Sequence, residues 1–267
     1  YLKDKNGKIV EEVTNENGEY KITSVETGEY IILFEYDSNT YELTTYKADE
    51  ENESRNSSVV LKNIDINGES ILCGVTDTIY LDWDTPNINI GLKEKKKFDL
   101  ELDKYVSRIV VQNSKGTKTY DFQNKTFAKV EINRKQLTSS TVIIEYSIQV
   151  KNTGDVEGFA STLVDYMPSE MNFTADMNSN WYLIDGKLYT KELENIKIQP
   201  GETKEVKLVL TKEMNNENVG LVNNIAEISE DYNEYGIADR DSTPNNKISG
   251  EDDLGAADVY IAIGTGA

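Results

Sequence analysis

The strongest constraint on this chain is a period of two. Residues 29–36, 141–151 and 205–210 alternate aliphatic or aromatic side chains with polar ones, and each run abuts a turn such as Thr27-Gly28, Asn152-Thr153-Gly154 or Pro200-Gly201. Successive side chains of an extended strand point to opposite faces, so such a run buries one face and solvates the other. Gly, Asn and Pro supply the reversals between runs. Residues 19–23, after Asn17-Gly18, read the same way, and helical periodicity is nearly absent. The expectation is an all-β chain whose strand spacing favours β-sandwiches.

Charge then removes whole classes of function. The chain carries 28 Lys and Arg against 48 Asp and Glu, a net charge of −20, with no His and one Cys. An acidic surface repels phosphate backbones and anionic lipid, so no nucleic acid and no direct membrane contact are expected. Without His, the usual catalytic triads and zinc sites are excluded. Catalysis would have to rest on carboxylates, Lys or Tyr, and a carboxylate-based glycoside hydrolase is the enzyme alternative. The acidic residues fall mostly in turns and at outward strand positions, where they single out no pair, so a chain that is not an enzyme is expected. Trp83, Trp181 and 16 Tyr could serve sugar binding, although most of the Tyr follow the inward alternation. Cys73, in Ser70-Ile71-Leu72-Cys73-Gly74-Val75, reads as a small buried residue. No apolar run is long enough to span a bilayer. The chain opens on Tyr1 without a signal pattern and is expected to be a segment of a longer protein.

A basic run, Lys93-Glu94-Lys95-Lys96-Lys97, interrupts the acidic background and marks a junction between domains at residues 1–93 and 94–267. The acidic stretch Asp49-Glu50-Glu51-Asn52-Glu53 is expected in an exposed loop. Turn formers and carboxylates fill residues 230–258, and a last strand over 257–263 is expected to complete the second sheet, with the acidic segment looping across its edge.

Two resemblances attach to these motifs. Thr14-Asn15-Glu16-Asn17-Gly18-Glu19-Tyr20-Lys21-Ile22 and Val25-Glu26-Thr27-Gly28-Glu29-Tyr30-Ile31-Ile32 resemble the core of collagen-adhesin B-type repeats, nearest the B-like repeat of serine-aspartate surface proteins. There Asn87-Ile88-Asn89-Ile90-Gly91-Leu92 would close the domain, with Gly18 and Gly28 each making a tight turn. The opening strand would lie before Tyr1. The run from Val142 to Gly154, then Val164-Asp165-Tyr166-Met167-Pro168, Ile198-Gln199-Pro200-Gly201-Glu202-Thr203 and Asn223-Asn224-Ile225-Ala226-Glu227-Ile228, is similar to an immunoglobulin-like conserved repeat of Gram-positive surface proteins, over residues 98–263. Together the resemblances imply two tandem β-sandwiches, prealbumin-like then Ig-like. The implied role is an extracellular, cell-surface stalk or adhesive segment, anchored to wall or membrane through regions outside this chain. Its partners would be neighbouring domains of the same protein, and a host matrix protein or glycan in the alternative reading as a binding module.

One residue breaks the alternation. Phe98, Leu100, Leu102 and Val106 share a face, and Lys104 lies on it; Asn224 likewise sits with Ala226 and Ile228. Surface-protein sandwiches of this kind join such a Lys to an Asn by an intramolecular isopeptide bond, assisted by a buried acid. The resemblance therefore nominates Lys104 and Asn224, with Asp165 as the acid and Glu145 as its alternative. Against this stands a Lys104 that snorkels to the sheet edge while Asn224 bonds the backbone. Separately, Asp239, Asp241, Asn245, Asp252 and Asp253 offer oxygen ligands of the kind calcium takes, although they match no EF-hand loop and also read as a solvated acidic loop.

Overall fold

The computed structural model describes residues 1–13, 17–49 and 56–264. Thr14, Asn15 and Glu16 of the first adhesin-like motif, and Glu50, Glu51, Asn52 and Glu53 of the acidic stretch, lie outside the described residues. The chain is all-β and forms two compact units, Tyr1–Lys95 and Lys96–Ala267.

The first unit holds β1 (Leu2–Asp4), β2 (Ile9–Glu11), β3 (Gly28–Glu35), β4 (Tyr41–Leu43), β5 (Val59–Ile66), β6 (Glu69–Thr76), β7 (Ile79–Leu81) and β8 (Leu92–Glu94). Its main sheet runs β2-β1-β3-β6-β5, with β7 also paired to β3, and β4 and β8 form a separate two-stranded ribbon. Alternation along β3 feeds two apolar clusters, Leu33 packing with Ile66, Cys73 and Val75, and Tyr30 and Ile32 with Leu2. Cys73 is a buried free thiol, in keeping with its apolar setting. The β5–β6 hairpin turns on Asn67 and Gly68, both at positive φ (56° and 88°), the conformation an Asn-Gly pair adopts most readily.

Two expectations fail here. Residues 19–23 form no strand; the Tyr20 hydroxyl donates to the Ile88 carbonyl at 2.7 Å and its ring meets Phe34 edge-on, so a tertiary contact takes the place of a ladder. Gly28 opens β3 rather than making a left-handed turn, and the left-handed residue just before it is Ser24, at φ 62°.

The second unit is a sandwich. It holds β9 (Leu100–Asn113), β10 (Gly116–Lys125), β11 (Phe127–Asn133), β12 (Thr141–Asn152), β13 (Phe159–Tyr166), β14 (Trp181–Ile184), β15 (Lys187–Thr190), β16 (Thr203–Glu213), β17 (Gly220–Tyr232) and β18 (Leu254–Gly264). A four-stranded sheet, β10-β9-β12-β16, faces a six-stranded one, β11-β18-β17-β13-β15-β14. Their inner faces meet in one core, which includes Leu102, Val106, Tyr146 and Ile148 from the first and Leu163, Ala226, Ile228 and Val259 from the second. Strand β9 stays inward at both ends because a bulge resets its parity. Val106 pairs with Tyr146 while Arg108 pairs with Glu145, so the buried positions change from even (Leu100 to Val106) to odd (Ile109, Val111).

The last strand does not lie at an edge. It is inserted between β11, to which it runs parallel, and β17, which it meets antiparallel. Where β18 begins, Gly255 lies so close to β9 that a Cβ there would stand 2.8 Å from both the Leu102 carbonyl oxygen and the Lys104 nitrogen. Backbone cannot yield as a side chain does, so Gly255→Ala is expected to cost about 1–3 kcal/mol, read as a lower midpoint in urea denaturation.

Candidate cross-link and cation sites

The core of the second unit contains an ionisable pair. Lys104 projects inward from β9 and Asp165 from β13 in the opposite sheet; both side chains are fully buried and the ammonium donates to Asp165 Oδ2. Antiparallel pairing sets Asp165 opposite Ala226 on β17, and Asn224 occupies the same inward face one alternation away. The Asn224 carboxamide adjoins both Asp165 and the Tyr146 hydroxyl and favours their ionised forms, yet neither of its polar atoms has a well-formed hydrogen bond. Lys104 Nζ also stands 4.7 Å from the centre of the Tyr146 ring. The structure thus brings Lys104, Asp165 and Asn224 into one buried cluster and adds Tyr146, which the alternation had marked only as core.

Electrostatics in that cluster run against charge. Burial pushes the Lys104 amine down and the Asp165 carboxyl up, each partly restrained by the other, and burial raises the Tyr146 hydroxyl. Moving the shared proton from lysine to aspartate leaves a neutral amine beside a neutral acid, the protonation state a nucleophilic amine requires. Lys104 is enclosed within the core and does not snorkel to the sheet edge.

Glu145 does not fit as the acid. It points to the other face of the four-stranded sheet, where its carboxylate accepts from Ser107 Oγ at 2.9 Å and pairs with Arg108 at 2.6 Å and Lys207 at 3.3 Å.

The second site lies where residues 233–253 cross the start of β9. Carboxylate oxygens of Asp99, Asp239, Asp241 and Asp252 all lie within 4.8 Å of one another, so this cluster could hold a metal ion. Asp239 is fixed at both oxygens: Oδ2 accepts from the Leu100 N–H at 2.9 Å, and Oδ1 from the Ser242 hydroxyl at 2.7 Å. Asp252 is anchored through its carbonyl, which accepts the Leu102 N–H at 2.7 Å. Burial raises Asp99, and burial followed by the neighbouring carboxylates pushes Asp252 to about 7.

Two residues expected in this site are elsewhere. Asn245 is a left-handed turn residue (φ 63°) whose N–H donates to the Ile228 carbonyl, outside the cluster. Asp253 turns away from the four as its neighbour Asp252 turns in; it is buried near Glu227 and Glu251, and burial is the first cause of a carboxyl pushed to about 7. Asp99 was missed because alternation puts it on the solvent side of β9, where the crossing loop and the Thr153 turn after β12 bury it.

No family model matches the chain, and no curated protein matches it. Two solved structures of the CARDB domain of PF1109 from Pyrococcus furiosus are similar to it, each at 15% identity over 64% of this chain and 100% of that one. One is a solution structure, with a TM-score of 0.29, and the other a crystal structure in complex with di-metal ions, with a TM-score of 0.30. At those scores the likeness assigns neither fold nor function. Among the described residues no helix is long and apolar enough to cross a membrane.

Proposed function

We propose that this chain is a structural segment of an extracellular, Gram-positive surface protein, a stalk whose second sandwich is stapled by an isopeptide bond between Lys104 and Asn224. The observation that carries the reading is the buried trio of Lys104, Asp165 and Asn224. A buried ion pair adds little net stability over apolar packing, so its place beside an unsatisfied carboxamide asks for another explanation. The neutral Lys104 amine attacks Asn224 Cγ while the protonated Asp165 donates to the carboxamide oxygen. The new Nζ–Cγ bond forms, the amine's proton passes through Asp165 to Nδ2, the Cγ–Nδ2 bond breaks, and ammonia leaves with Asp165 restored. No turnover follows, in keeping with a chain that is not an enzyme. Calcium is the ion assigned to the four-Asp cluster in this setting, because extracellular modules bind it through just such oxygen ligands.

Intact mass tests the staple. The wild-type chain is expected one ammonia lighter than its sequence, Lys104→Ala and Asn224→Ala each at their own sequence mass, and Glu145→Gln still one ammonia light. A wild-type mass equal to the sequence sum would remove the cross-link.

A ligand-binding reading has one observation in its favour: Trp83 is 83% exposed and Tyr80 61%, although Trp181 is buried in the core with its indole N–H on the Lys207 carbonyl. Exposed rings of that kind stack on sugars and on protein partners. A spacer predicts no saturable signal on glycan arrays or immobilised matrix proteins, and a signal lost in Trp83→Ala would favour the module.

A further inference from the structure

The stalk reading, on which this inference rests only for the choice of ion, names an ion for the carboxylate cluster without saying what that ion holds together. Four carboxylates face one guanidinium, that of Arg240, and 1 − 4 leaves a formal charge of −3. Arg240 is largely committed: its Nε and Nη2 both donate to Asp241 Oδ2, at 2.9 and 2.7 Å, and Nη2 reaches within 3.0 Å of Asp99 Oδ2. It cannot neutralise four acids.

A separate observation points to a missing ligand. The Asp99 side chain is fully buried with only the Thr153 hydroxyl and the Arg240 guanidinium beside it, neither in a well-formed hydrogen bond to it, and Asp252 Oδ1 is also buried without a donor. Carboxylate oxygens withdrawn from water and from donors are satisfied by a proton or by a cation. The spacing suits a cation. Oxygens on opposite sides of a calcium ion, bonded at 2.3–2.6 Å, stand about 5 Å apart, close to the 4.8 Å that bounds this cluster.

We infer that Asp99, Asp239, Asp241 and Asp252 form a single divalent-cation seat of the calcium class, which clasps the 233–253 loop to the start of β9. Asp99 contributes from the strand side, and the other three from the loop. The half-exposed Arg240 swings outward as the ion takes its place beside Asp99. The clasped strand is the one that carries Lys104, so the cation adds to the β12 ladder and to the hydrogen bonds with Asp239 and Asp252 that hold this end of β9.

Calorimetric titration of calcium chloride into the chelator-treated full chain tests this. One saturable site is expected, with a Kd of roughly 10⁻⁵–10⁻³ M. Asp99→Asn and Asp252→Asn should each weaken it at least about tenfold, the loss expected when one charged ligand is neutralised. Asp185→Asn, in the exposed β14–β15 turn, should bind as wild type does. In chelator Asp99→Asn is expected to melt no lower than wild type, since it removes a buried charge that the half-exposed Arg240 and Thr153 only partly offset; this separates loss of a ligand from loss of the fold, and Asp252→Asn repeats the test from the loop side. Absence of saturable heat, or wild-type affinity in both variants, would overturn the site. Intact mass on the same samples reads the Lys104–Asn224 bond independently, so failure of the cation seat and failure of the staple are told apart.

Discussion

Asp165→Ala is expected to produce a chain that carries no cross-link and unfolds far more easily than wild type. Two losses add. Removing the acid strands the Lys104 amine in the apolar core, and breaking a buried pair from one side costs about 3–5 kcal/mol because the surviving charge stays uncompensated. The second loss is the staple. The bond between residues 104 and 224 closes a loop of 224 − 104 = 120 residues, and covalent closure of loops near that length removes about 4–5 kcal/mol of unfolded-state entropy on the disulfide scale. The combination Lys104→Met with Asp165→Leu separates the two: it also lacks the bond but leaves no buried charge, so it should recover the first share and not the second. Urea denaturation together with intact mass gives both readouts. If Asp165→Ala keeps the ammonia deficit, Asp165 is not the acid. If it unfolds at the wild-type midpoint, the pair contributes nothing to the core.

What was legible in the sequence follows from how each residue is placed. Lys104, Asp165 and Asn224 could be found because strand parity is local: each sits an even number of residues from core positions in its own strand, and burial followed. Parity also set Glu145 outward, where the structure finds it paired with Arg108 and Lys207. The same rule failed for Asp99. Its outward direction is right, but the outer face of β9 is covered there by a loop about 140 residues away in sequence, held by Arg240 N–H to the Phe98 carbonyl and by Leu100 N–H to Asp239. Local pattern carries no information about such a crossing. Tyr20 failed for a related reason, since its alternation served a contact with Phe34 and Ile88 and no neighbouring strand. Asp252 and Asp253 show the limit from the other side: adjacent residues in one turn point apart, and composition alone grouped them.

In chelator, the melting temperature is expected to fall as pH rises from 5 to 8. Asp231 is pushed up to about 6, and Asp252 and Asp253 to about 7, from an ordinary value of 3.8, with burial the leading cause in each case and neighbouring carboxylates adding to it. Asp165 is raised in the same direction by burial. Between the unfolded and folded values the native state holds protons that the unfolded chain has released, so stability is full below about pH 4 and is lost as pH climbs through 6 and 7. Carboxylates that work the other way, such as Glu157 and Glu202, held low by backbone hydrogen bonds, change the balance only below their ordinary 4.5 and leave the window above pH 5 flat. Three partly solvated groups, discounted for screening, amount to about 1–3 kcal/mol together, or roughly 5 °C in a domain of this size. Millimolar calcium should remove the share that belongs to Asp252 by replacing its proton with an ion. Asp253→Asn should remove the share that belongs to the buried neighbour, with calcium or without it. A melting temperature that is flat or rises over this range in chelator would mean that the loop carboxylates are solvated and ionised as an ordinary acidic turn would be, which would also leave Asp99 without a reason to lack a well-formed hydrogen bond.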